Sequence, residues 1–183
     1  SRAFLPHFHI PLQSGDNKIL KLMHRKYERE LFAERVNYIK EKMPLAFIAA
    51  DVIVGFPQET KEDFLSTYQF IESLPLAFLH VFTYSERPNT IAAKMQGKVP
   101  IVERRERSKE LQNLSIKKKL KFYEKNRGNK GKILWEADNE NGMMFGFTEN
   151  YIRVGRRFEE KYINQITEET LLELDESKQY YKL

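Results

Sequence analysis

Four histidines and no cysteine bound the chemistry open to this 183-residue chain. Without a thiol there is no disulfide, no cysteine-type zinc site, no thiol nucleophile and no thiolate for an iron–sulfur cluster. His7 and His9 alternate with Phe8 and Ile10, an i, i+2 spacing that places two imidazoles on one face of a strand. No third ligand stands near them in the sequence, so hydrogen bonding is the first reading and metal ligation the second. His80 sits in an apolar run and reads as a core histidine or as one facing a barrel interior. Asp51 interrupts the most apolar stretch, Phe47–Gly55 (FIAADVIVG). A carboxylate there needs a partner, because desolvating it alone is prohibitive; Arg25, Lys26 or a bound ligand are the candidates. No Ser-His-Asp set, phosphate loop or pair of catalytic carboxylates is recognisable.

These residues need elements to position them. Phe8–Leu12 is a short apolar run ending in Gln13-Ser14-Gly15-Asp16. Ile19, Leu20 and Met23 share a helix face, and Phe32, Val36, Ile39 and Met43 recur at i, i+4, i+7 and i+11 before Pro44. The run at Phe47–Gly55 has the continuous apolarity of a strand covered on both faces. Thr60 and Asp63 make a capping box for a helix that presents Phe64, Tyr68 and Ile71 and ends near Pro75. Phe78–Thr83 is a third strand. Strand and helix alternating at about 30-residue spacing predict an α/β fold with parallel strands and right-handed crossovers. Ligands then bind beyond the carboxyl ends of the strands. There Gln13-Ser14-Gly15, Gly55-Phe56-Pro57-Gln58-Glu59 and Tyr84-Ser85-Glu86-Arg87 converge.

Charge and pattern change after residue 100. The net charge of +5 divides into +2 over residues 1–100, +8 over 101–132 and −5 over 133–183. The basic belt reads either as a Lys-rich solvent face or as a surface for phosphates. Residues 85–100 read as a loop. A long helix is expected over residues 101–126, with Leu111, Leu114, Ile116, Leu120 and Tyr123 towards the core. Short strands follow at Lys132–Ala137, Met143–Phe147, Tyr151–Val154, Tyr162–Ile166 and Leu171–Leu174, the pattern of a small all-β barrel. Domains of residues 1–127 and 128–183 are expected. Tyr151 and Arg153 alternate with Ile152 and Val154, so one face can build a core while the other offers an aromatic and a cation to RNA, joined by Arg156 and Arg157. Trp135, Phe145 and Phe147 read as core or as stacking platforms. With 41% hydrophobic and 31% charged residues, and no apolar run near the ~20 residues of a membrane span, the chain reads as a globular, cytoplasmic protein.

Four strings in order carry a resemblance: His7–Gly15 (HFHIPLQSG), Met23–Tyr27 (MHRKY), Asp51–Thr60 (DVIVGFPQET) and His80–Thr90 (HVFTYSERPNT). Together they resemble the radical S-adenosylmethionine (SAM) methylthiotransferases that modify tRNA, of the MiaB/MtaB type, the threonylcarbamoyladenosine branch most of all. Gly146–Tyr151 (GFTENY) extends the resemblance into that family's carboxyl-terminal TRAM module, a small RNA-binding barrel. The resemblance implies the carboxyl-terminal half of a partial TIM-type (βα) barrel that holds SAM and a [4Fe–4S] cluster. It also implies tRNA as partner and insertion of a methylthio group into a hypermodified adenosine beside the anticodon. The family's three-cysteine motif and amino-terminal domain are missing, so the resemblance implies a carboxyl-terminal fragment, inactive alone, with an exposed edge at Phe8–Leu12 open to self-association. Gln58 stands where the family has the glycine of GFPGET, and Glu86 and Asn89 alter its SPRPGT loop.

By the same resemblance Gln13 and Ser14 line the SAM pocket, with Asp51 and Arg25 near it, Arg25 meeting the SAM carboxylate. Gly55, Phe56 and Pro57 bring backbone and an aromatic ring to the adenine. Tyr84 and Arg87 face the substrate. Two other classes stay open from the residues alone: a non-catalytic RNA-binding module and a cluster-free (βα)-barrel enzyme.

Overall fold

The computed structural model describes residues 4–177 and 179–183. Among the described residues nine strands and five α-helices follow one another. β1 (His7–Gln13), α1 (Asn17–Leu22), α2 (Arg29–Lys42), β2 (Phe47–Val54), α3 (Lys61–Ser73), β3 (Phe78–Thr83), α4 (Ile91–Lys94) and α5 (Ile101–Asn126) precede β4 (Lys130–Trp135), β5 (Met143–Thr148), β6 (Arg153–Arg157), β7 (Ile166–Thr170), β8 (Glu173–Leu174) and β9 (Tyr181–Lys182). Two compact units result. One comprises Phe8–Pro44 and Ile48–Lys119; the other comprises residues 4–7, Leu45–Phe47 and Leu120–Leu183. The division falls inside α5, a little before the expected boundary at residue 127.

In the first unit the strands run in the order β1-β2-β3. β2 and β3 are parallel, in register from Ala49 opposite Phe78 to Val54 opposite Thr83. Alternation along β2 sends Ile48, Ala50, Val52 and Val54 into a core with Leu12, Phe32, Val36, Phe64, Ile71 and Leu79. Burying each of the larger side chains contributes roughly 1.5–3 kcal/mol. Asp51 and Ile53 face the other way and are only partly covered. The helices start where their caps dictate. Asp16 accepts from Lys18 N and Ile19 N to open α1, and Thr60 and Asp63 close the expected capping box at α3.

Helix α5 buries Leu111, Leu114 and Tyr123 as its apolar residues suggest, but its stripe also takes in polar residues. Ile116 is exposed, whereas Arg104, Arg107, Ser108, Leu111, Leu114 and Ser115 are buried. The polar members are accepted because each finds a hydrogen-bond partner or a counterion: Ser108 Oγ accepts from the Gln112 amide, and Ser115 Oγ takes Leu79 N–H and gives to Leu79 C=O. Residues 85–100, expected as loop, include the single helical turn α4, capped by Thr90.

The second unit holds a six-stranded sheet in the order β7-β4-β5-β6-β9-β8, antiparallel except for β6 beside β9. Trp135, Ile133, Met144, Ile152, Val154 and Tyr181 are fully buried within this unit. Four of the five expected strands shift: Lys132–Ala137 is found at Lys130–Trp135, and of Leu171–Leu174 only Glu173–Leu174 is strand. The Tyr162–Ile166 segment opens as a 3-10 turn at Glu160–Tyr162, and the strand starts only at Ile166. Tyr151 lies in a turn with φ +62°, so its strand begins at Arg153. No described helix is long and apolar enough to cross a membrane.

Gly146 shows how tightly this sheet is built. A Cβ there would stand 2.5 Å from Leu134 O and 2.8 Å from the Ile133 side chain. Backbone cannot yield as a flexible side chain would, so Gly146→Ala should cost about 1–3 kcal/mol in urea unfolding. An unchanged midpoint would contradict the packing described.

Candidate functional site

A cavity of about 490 Å³ opens at the carboxyl ends of β2 and β3. Its wall includes Met23, His24 and Arg25 after α1, Ile53 and Phe56 around the end of β2, and Phe82, Tyr84 and Arg87 around the end of β3. Three of the four sequence strings therefore meet here, and the fourth acts through Arg25. Gln13 does not line the cavity; its Oε1 accepts from Arg25 Nη2 at 2.8 Å and holds that guanidinium at the rim. Ser14 is fully buried and paired with Thr67. Gly55 and Pro57 flank Phe56 without lining the wall. Asp51 lies elsewhere on β2, with Oδ1 2.6 Å from His9 Nε2 rather than near Arg25 or Lys26. That bond, and the stacking of His9 on His80 at 4.7 Å, replace the expectation that the histidines lack a third neighbour.

The back of the cavity is held by two arginines that the charge count alone assigns to a solvent-facing belt. Arg104 donates to Val99 O and Tyr84 O, with its guanidinium 5.5 Å from the Tyr84 ring centre. Arg107 donates to Glu59 Oε1 at 2.7 Å and to Glu59 O. Glu59 also accepts from Gly55 N–H at 2.9 Å, so one carboxylate pins both ends of the turn after β2. Burial pushes the Glu59 carboxyl above the usual carboxylate range, against the downward pull of Gly55 N–H and Arg107. Gly55 has φ +74°, and a Cβ on it would meet Arg104 Cγ at 2.3 Å, so this turn requires glycine. Gln58 and Asn89 occupy the left-handed region too, with φ +69° and +66°. Each stands where the resembled family carries glycine.

Phe56 and Tyr84 meet edge to face at 5.2 Å. The Tyr84 hydroxyl is buried and, among the described residues, lacks any hydrogen-bond partner. A buried hydroxyl left unpaired costs about 1–3 kcal/mol, and the residue that carries it lines a cavity large enough for a small ligand.

In the other unit a groove of about 640 Å³ is lined by Phe4, Leu5, His7, Lys132, Leu134, Phe147 and Tyr151, among others. Tyr151 stacks on His7 at 4.2 Å and on Phe147 at 4.7 Å, and is half exposed. Trp135 and Phe145 are core residues. Arg153 lies over the Phe145 ring and pairs with Glu140. Arg156 is largely engaged within the sheet, over the Tyr162 ring at 3.7 Å and paired with Glu159 and Glu169. Arg157 is exposed.

Comparison with known proteins agrees with the strings. Residues 1–71 match the Radical SAM superfamily model. The chain is 47% identical over 151 residues to threonylcarbamoyladenosine tRNA methylthiotransferase MtaB of Aquifex aeolicus, covering 82% of this chain and 36% of that protein. It is 38% identical over 176 residues to the Bacillus subtilis protein of the same name, covering 94% and 39%. It is 41% identical over 150 residues to tRNA-2-methylthio-N(6)-dimethylallyladenosine synthase of Bacillus subtilis, covering 79% and 29%. The chain thus spans between 29% and 39% of these relatives' length. Among solved structures, coproporphyrinogen III oxidase (HemN) of Escherichia coli, described as a radical SAM enzyme, superposes with a TM-score of 0.53 over 62% of this chain and 27% of its own, at 20% identity. That likeness is one of fold alone.

Removing Arg107 tests how the cavity's back wall is held. Arg107→Met leaves the Glu59 carboxylate buried without its cation, which should destabilise the protein by about 3–5 kcal/mol at pH 7. With its folded-state pKa raised further, Glu59 must take up a proton to fold, so the variant gains stability as pH falls towards 5. Denaturation at both pH values should show the deficit narrowing; a deficit constant with pH would contradict the assignment.

Proposed function

We propose that this chain, a relative of the radical SAM tRNA methylthiotransferases by motif and by sequence identity, supplies SAM-binding and tRNA-binding elements for methylthiolation of a hypermodified adenosine. The observation that carries the reading is the cavity where Arg25, Phe56, Tyr84 and Arg87 meet at the carboxyl ends of the parallel strands. It suits an adenosyl ligand: Phe56 and Tyr84 give aromatic contact, the unpaired Tyr84 hydroxyl offers one hydrogen bond, and Arg25 offers a cation to a carboxylate. Gly55 keeps the turn tight, and the Glu59–Arg107 pair keeps it in place.

SAM supplies the radical-initiating and methyl-donating chemistry when bound. The residues of this chain bind and orient it, and Phe56 with Ile53 excludes water from one wall. The [4Fe–4S] cluster of the family is a different matter. The chain has no thiolate, so it does not fit that group as a cysteine ligand set, and no step is assigned to its residues there. Alone, the polypeptide is expected to take up no cluster on anaerobic reconstitution and to show no methylthiolation.

The residue 120–183 unit is proposed as a TRAM-like, RNA-facing module. The stacked Tyr151, His7 and Phe147 rings and the exposed Arg157 support this reading. β1 lies at an edge of its three-stranded sheet, which supports pairing with a second copy. A protein acting on tRNA in this way would work in the cytoplasm.

Two experiments test the reading. Equilibrium dialysis with SAM should show saturable binding, weakened about tenfold by Phe56→Ala. Tyr84→Phe should weaken it several-fold while raising ligand-free stability by about 1 kcal/mol, since it removes an unpaired buried hydroxyl. SAM affinity indifferent to both changes would overturn the assignment. Gel shifts with tRNA should be salt-sensitive, and Arg157→Ala should lower the slope of log K against log salt by about 1. Binding independent of salt would contradict the RNA surface.

A further inference from the structure

The sheet face opposite the helical core carries a second constellation that the proposed function does not use. His9 on β1, Asp51 on β2 and His80 on β3 stand on three neighbouring strands, and Asp51 is the direct register partner of His80. Directly paired residues project from the same face of a sheet, and His9 reaches the same place, with Nε2 2.6 Å from Asp51 Oδ1. The His9 and His80 rings are stacked at 4.7 Å with 26° between their planes, and Phe78 meets the His80 ring edge-on at 4.9 Å. One ligating atom from each of the three residues lies within 4.8 Å of the others.

We infer that His9, Asp51 and His80 form a binding site for a divalent transition-metal ion such as Zn²⁺ or Co²⁺. Two imidazoles and one carboxylate make a donor set of borderline softness, suited to zinc and its first-row neighbours rather than to magnesium or calcium. Nitrogen ligands at about 2.0–2.1 Å and a carboxylate oxygen at about 2.0–2.2 Å would require donors up to about 4 Å apart. The present separations, 2.6 Å between His9 Nε2 and Asp51 Oδ1 and none above 4.8 Å within the trio, bracket that range. The site is open: His9 is exposed, and Asp51 and His80 are half-buried. Three protein ligands leave at least one position for water or for an oxygen or nitrogen donor of a bound molecule. Ile53 and Phe82 are each two residues further along β2 and β3 and line the cavity. The ion would therefore sit one pleat, about 6–7 Å, from the cavity wall on the same sheet face.

The inference rests on these three strands and stands apart from the assignment of SAM to the cavity, so either can fail without the other. The test is titration of the metal-free chain with Co²⁺ followed by its visible d–d absorption, repeated with Zn²⁺ by calorimetry. One equivalent should bind with Kd below about 100 μM. Asp51→Asn and His80→Gln should each weaken binding at least tenfold, while His7→Gln, which alters the imidazole two residues from His9, should leave it unchanged. Zn²⁺ at a hundredfold excess over Kd should raise the wild-type melting temperature by about 5–10 °C and leave that of Asp51→Asn unmoved. If one substitution prevents folding, the other and the wild-type titration still decide. Absence of saturable binding by the wild type, or equal binding by the variants, overturns the site.

Discussion

A buried ion pair organises the cavity-bearing end of the α/β unit. Glu59 and Arg107 are almost wholly withdrawn from solvent, with side-chain exposures of 3% and 8%. Such a pair is tolerated only because the remaining lone pairs and protons are occupied. Gly55 N–H donates to the Glu59 carboxylate, while Arg107 also reaches the Glu59 carbonyl and Glu103. The turn after β2 is thereby fastened to α5 by charge and hydrogen bonds instead of apolar packing. Phe56, carried on that turn, is positioned by the fastening, and the wall of the cavity follows.

Arg104 extends the same device by one helical turn. It closes on Val99 O and Tyr84 O, which ties the segment after β3 to the same helix. The two loops that bound the cavity thus share one support, α5, and both are held through backbone carbonyls. Held so, the Tyr84 hydroxyl has no hydrogen-bond partner among the described residues. Folding tolerates a local cost there, at a place where a ligand's polar atom would remove it.

Much of this was legible in the sequence, and the parts that were not share a cause. Periodicity located β1, β2, β3, α2 and α3, and the Thr60–Asp63 spacing located a cap, because these signals are local. The convergence of the Gly55–Glu59 and Tyr84–Arg87 segments followed from parallel topology. Hydrophobic pattern locates Leu111, Leu114 and Tyr123 on the buried stripe of α5 but misplaces Ile116 and omits Arg104, Arg107 and Ser115, whose interior places depend on partners outside the helix pattern. Asp51 was recognised as needing a partner, but the partner, His9, is 42 residues away and was matched to no carboxylate. The positive φ of Tyr151 likewise shortened a strand that alternation alone would extend.

The central claim is that the cavity at the strand ends receives an adenosyl ligand. Its most direct measurement is an NMR titration of the ¹⁵N-labelled chain with S-adenosylhomocysteine, the demethylated analogue. Shifts concentrated at His24, Arg25, Gly55, Phe56 and Tyr84 are the predicted result. Shifts confined to residues 120–183, or none at saturating ligand, would contradict it.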